Sequence, residues 1–81
     1  MRQNKYKLQV GDTLFEASRM RKKVVEWKIV KIFIEDYMSG GKVIFVVENE
    51  VYGRVERFMS DVMHWHDSAE EAQSCLEEMF A

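Results

Sequence analysis

His64 and His66 stand one residue apart, with Asp61, Asp67 and Cys75 close by in sequence. In a strand the two imidazoles would point to one side, because side chains repeat every two residues. Imidazoles so placed can share a transition metal, and Asp61, Asp67 or Cys75 would complete its shell. No further pair of ligands occurs elsewhere in the chain. The preferred reading therefore puts both histidines at the solvent face and Trp65 in the core, with no metal and no cofactor. Cys75 beside a histidine would make a nucleophile and its base. Yet Cys75 falls on an apolar helical stripe, where free cysteine behaves as a small hydrophobe. No G-x-S-x-G, phosphate loop or dinucleotide fingerprint occurs. Gly40-Gly41 reads as a hairpin turn, since no helix start follows it. No catalytic residue is assigned, and the chain is expected not to be an enzyme.

The charged residues offer two binding chemistries. Arg19, Arg21, Lys22 and Lys23 form the densest basic cluster. A basic loop with aromatics beside it binds nucleic acid through phosphate contacts and base stacking. Lys28 would extend the patch, as would Lys5, Tyr6 and Lys7, and Trp27 or Phe15 would supply a stacking face. Against this, the isoelectric point is about 5.7, whereas dedicated nucleic-acid binders are basic overall. Glu70, Glu71, Glu77 and Glu78 read as the solvated face of a helix. The sharper reading is an acidic face that mimics phosphates and docks into a partner's basic groove.

The elements that position these residues read as β followed by α. Gly11-Asp12 suits a tight turn, and a strand follows it to Ala17. Ser18 to Lys23 is a polar loop. Val24 to Tyr37 is the longest strand candidate. Val25, Trp27 and Ile29 alternate in phase, and then Val30, Ile32 and Ile34 take over. Such a change of face is what a bulge produces, and bulges let small sheets curl. Val43 to Val47 is a continuous apolar run, expected to be a central buried strand. Arg54 to Phe58 alternates again, Phe58 to Met63 fits one helical turn, and His64-Trp65-His66 fits a short last strand. Ser68 and Glu71 have capping-box spacing. Ala72, Cys75, Leu76, Met79 and Phe80 then form one apolar stripe of a helix. The expectation is one domain spanning 1–81, with a β part over 7–66 and an amphipathic helix over 68–80. Its fold class is mainly β: a small SH3-like barrel, or a curled antiparallel sheet of four or five strands, with the helix packed on it.

Three stretches carry a resemblance: Val10-Gly11-Asp12-Thr13-Leu14, Lys28-Ile29-Val30-Lys31-Ile32 and Ser68-Ala69-Glu70-Glu71-Ala72. In this pattern the chain resembles a group of small SH3-like proteins of bacteria and their phages, most of them without an assigned activity. It departs from the group at Asp67-Ser68 and in its two histidines. The resemblance implies the barrel and a phage or mobile-element origin.

Composition narrows the rest. The chain has 81 residues, of which 47% are hydrophobic, and a net charge of −2. That is a globular composition, with no apolar run long enough to span a membrane. One cysteine allows no internal disulfide, and the polar N-terminus is no secretory signal, so the cytoplasm is expected. Residues 1–31 carry nine bases and three acids, while residues 32–81 carry three bases and eleven acids. Either the halves meet in exposed ion pairs, or each half presents a polar partner surface. A small core cannot hide Tyr37, Met38, Tyr52, Met59 and Met63 along with the larger aromatics. Some apolar area is therefore expected to face a partner or a second copy of the chain. The leading reading is a protein-interaction module, an inhibitor or accessory factor of a host complex. Glu70, Glu71, Glu77, Glu78, Tyr37 and Met38 are its proposed contacts. The alternative is a nucleic-acid-binding accessory protein using Arg19, Arg21, Lys22, Lys23 and Lys28.

Overall fold

The computed structural model describes residues 8–35, 38 and 40–81. Tyr37, and the patch extension at Lys5, Tyr6 and Lys7, lie outside the described residues. The fold is mainly β. Strands β1 (Thr13–Ser18), β2 (Lys23–Glu35), β3 (Lys42–Asn49) and β4 (Gly53–Phe58) precede a short helix α1 (Met59–Val62) and the C-terminal helix α2 (Ala69–Met79). The strands form one antiparallel sheet in the order β1-β2-β3-β4.

β2 is the hinge of the sheet. Its first half pairs with β1, from Ser18↔Lys23 to Thr13↔Lys28. Its second half pairs with β3, and the register slips between Ile29 and Lys31. Val30 is the extra residue, and the bulge it makes bends the strand and raises its twist. This is the phase change visible in the sequence. The Val10-Gly11 turn is anchored on the same spot: Gly11 N–H donates to the Ile29 carbonyl (2.8 Å), and Ile29 N–H donates to the Asp12 carbonyl (2.9 Å).

Curling brings the first apolar phase of β2 inside, while in the second Ile32 is half-buried against the core and Ile34 stays exposed. Leu14, Val25, Trp27, Ile29, Phe45, Val47, Val62 and Trp65 form the core, and Ala72 and Leu76 of α2 are buried as well. Trp27 is fully buried and stacks on Trp65 at 5.9 Å between ring centroids. It therefore offers no stacking face to a ligand, contrary to the expectation from sequence. Tyr52 and Met59 also pack against the core instead of standing exposed.

The expected last strand is reduced to one bridge. Phe15 and His66 exchange both backbone bonds, at 2.9 and 2.7 Å. Before it, His64 N–H donates to the Asp61 carbonyl and Trp65 N–H to the Val62 carbonyl. The backbone thus continues the turn of α1 and becomes extended only at His66. The strand argument that put His64 and His66 on one side does not hold. At α2, Ser68 Oγ accepts from Glu71 N–H at 3.2 Å. The reciprocal bond from Ser68 N–H to the Glu71 carboxylate is not formed, so half of the expected capping box is present.

Candidate functional site

β1 and β4 are the two end strands of the sheet. The curl turns them toward each other without joining them, and a cleft of about 450 Å³ opens between them. Glu16 and Ala17 of β1 line one side, and Glu56, Arg57 and Phe58 of β4 line another. Asp61, His64, Trp65 and His66 floor it, and Cys75 and Met79 of α2 close it. Asp61, His64, His66 and Cys75, weighed in the sequence for metal or nucleophile chemistry, therefore share one depression, and Asp67 is not among its lining residues.

Several of these groups already serve the fold. Glu16 Oε1 accepts from the buried Trp27 Nε1 at 2.9 Å. Asp61 Oδ2 accepts from Phe58 N–H at 3.3 Å at the start of α1. Arg57 donates to the Glu56 carbonyl at 2.9 Å. Among the described residues, no three of His, Cys, Asp and Glu are placed to hold a metal ion. What the cleft does present is apolar surface at its rim: Phe58 is 50% exposed and Met79 is 41% exposed. The last turn of the apolar stripe of α2 thus runs past the core, and Phe80 is exposed with it.

The acidic residues continue from this cleft. Glu70, Glu71 and Glu78 line a groove with His66, Ser74 and Cys75, so the two depressions share His66 and Cys75. Glu77 accepts from Gln73 along the helix. Met38 lies in the β2–β3 connection and is 98% exposed.

The basic residues form a separate feature. Arg19, Met20, Arg21 and Lys22 make the β1–β2 turn, closed by Arg21 N–H donating to Ser18 Oγ at 3.2 Å. Lys22 sits at φ 58°, a left-handed conformation uncommon for a side-chain-bearing residue. The Arg21 guanidinium lies 4.0 Å from the centroid of the Tyr52 ring, and Lys23 Nζ lies 5.4 Å from it. Tyr52, in the β3–β4 turn, is the aromatic partner of this cluster. Sequence reasoning missed it because the contact depends on two turns meeting at one end of the sheet. Asn49 builds that meeting. Its Oδ1 accepts from Val51 and Tyr52 N–H, and its Nδ2 donates to the Glu26 carbonyl. Lys28 stands at the other end of the β1–β2 ladder, in a groove with Glu26, Glu48 and Glu50.

Among the described residues, the ion pair Arg54–Glu48 at 3.1 Å joins two members of the acidic half. It does not link the halves, so the expectation that their charges meet in exposed pairs is not met there. Compared with known proteins, the chain matches no family model, and neither a curated relative nor a similar solved structure is found. None of the helices among the described residues is long and apolar enough to cross a membrane.

Proposed function

We propose that the chain is a non-catalytic protein-interaction module that holds its partner at the cleft between β1, β4 and α2. The exposure of Phe58 and Met79 at the rim of a concave surface carries this reading. Contiguous apolar surface rimmed by polar residues marks interaction sites, and Phe58 and Met79 line one depression with polar groups around them. The likeness to small phage-borne β proteins extends the proposal to an accessory factor or inhibitor of a host complex. The single cysteine supports a reducing, cytoplasmic setting. The test is capture from host lysate on immobilised protein, with and without nuclease, beside a Phe58→Ser/Met79→Ser variant. A protein retained after nuclease and lost with the variant is the expected result. Material lost to nuclease but indifferent to the variant overturns it.

The second reading, binding of single-stranded nucleic acid, has its own observation. Arg21 and Lys23 converge on one ring beside Arg19 and Lys22. Oligothymidylate anisotropy tests it. Reversal of Arg21, Lys22 and Lys23 to glutamate should abolish binding, and affinity should fall steeply with salt. Binding unchanged by the reversal removes this reading.

A further inference from the structure

We infer that the cleft takes up an extended peptide segment carrying lysine or arginine, added as a strand at the open side of the curled sheet. The inference rests on the interaction-module reading and names the class of partner.

Three observations converge on it. First, the closure of the sheet is incomplete by backbone, not only by shape. In an antiparallel strand, N–H and C=O of one residue point the same way, and the direction alternates. Phe15 spends both groups on His66, so Thr13 and Ala17 also point outward. Ala17 lines the cleft, and among the described residues no backbone bond reaches its outward groups. β4 likewise has β3 as its only partner strand among the described residues. Strand edges that lack a strand partner and face one groove are a template for strand addition, and the incoming strand would take over the Glu56 carbonyl and Phe58 N–H from the Arg57 and Asp61 side chains that hold them.

Second, the side chains at the rim suit alternate residues of such a strand. Phe58 and Met79 offer apolar contact, while Glu16, Glu56 and Asp61 offer carboxylates against the one guanidinium of Arg57. Glu16 and Asp61 each use one oxygen within the fold, which leaves the other to accept from a ligand. The acidic groove along Glu70, Glu71 and Glu78 continues the field past His66. A cationic peptide is favoured there, and a phosphate backbone is repelled.

Third, the chain's own basic cluster does not fit as occupant. Arg19–Lys22 is a reversed turn, held by Ser18 Oγ. A second copy would present it as a loop tip, not as an extended strand.

The experiment is an amide-shift titration of the intact chain with the peptide Lys-Val-Arg-Val-Lys-Val, capped at both ends. The comparisons are the same peptide with alternate amides N-methylated, and Glu-Val-Glu-Val-Glu-Val. Saturable shifts at Ala17, Phe58 and Met79 are expected, with binding weakened about tenfold or more by Glu56→Lys or by N-methylation. Glu56 is exposed, and the variant's far-ultraviolet dichroism checks its fold. Equal binding of the acidic or N-methylated peptide overturns the inference, as does a shift pattern centred on Arg19–Lys23. Silence from all three peptides, while lysate capture still yields a partner lost with Phe58→Ser/Met79→Ser, overturns the strand mode and leaves the module standing. Silence in both experiments removes the module as well.

Discussion

The indole of Trp27 joins the stability of this molecule to its cleft. Its Nε1–H is buried and has Glu16 Oε1 as acceptor. Glu16→Ala should leave that donor unsatisfied and cost about 1–3 kcal/mol, since a buried donor without an acceptor bears its full desolvation penalty. In a Trp27→Phe background the same change should cost distinctly less, because the donor is gone. Urea unfolding of the four proteins measures both, and equal costs in the two backgrounds would refute the bond's role. Ser68→Ala should cost about 1 kcal/mol, the usual worth of an N-cap hydroxyl. Half of this was legible in the sequence. The alternation Val25, Trp27, Ile29 put the indole inside. Its acceptor eleven residues away was not legible, because it depends on β1 pairing with β2 in the register Glu16↔Val25.

The bulge at Val30 decides whether the end strands face each other. Deleting Val30 would let the ladder run from Ile29↔Val47 to Lys31↔Val46 without an extra residue. The strand would then lose its bend. The expected result is faster amide exchange at Phe15 and His66, whose bridge joins β1 to the segment between α1 and α2. Protection unchanged at both amides would show that the curl has another source. The β3–β4 turn is tested at Gly53, which has φ 77° and open space around the position of a Cβ. Gly53→Ala should cost about 1–2 kcal/mol through backbone strain alone. The bulge was visible in sequence as a change of apolar phase, because burial forces the phase. The last strand was misread for a related reason. His64-Trp65-His66 alternates polar and apolar, yet three residues are too few to outvote the helical turn running on from Met59–Val62. The amphipathic helix was legible because its stripe spans several turns, although its last apolar residues, Met79 and Phe80, are left uncovered.

Across the whole molecule, charge is separated and largely unpaired within the described residues. The pair Arg54–Glu48 is exposed on both sides and should show a double-mutant coupling below about 1 kcal/mol. The sequence revealed the imbalance between its halves and the surplus of apolar side chains. It could not reveal the cleft, which exists only because a bent β2 brings residues of β1, β4 and α2 around one depression. The basic turn follows the same logic. If Arg19–Lys23 served to neutralise the acidic half, reversing Arg21, Lys22 and Lys23 to glutamate would destabilise the fold strongly, and more so at low salt. Within the described residues Arg21 and Lys23 contact the Tyr52 ring, and none of the three side chains pairs with a carboxylate. The loss should then be about two exposed cation–π contacts, some 1–2 kcal/mol. For a domain of this size that lowers Tm by no more than about 16 °C, with little dependence on salt. A larger fall that salt reverses would mean that the turn's charge is spent inside the molecule. A small, salt-independent fall would mean that it remains available to a partner.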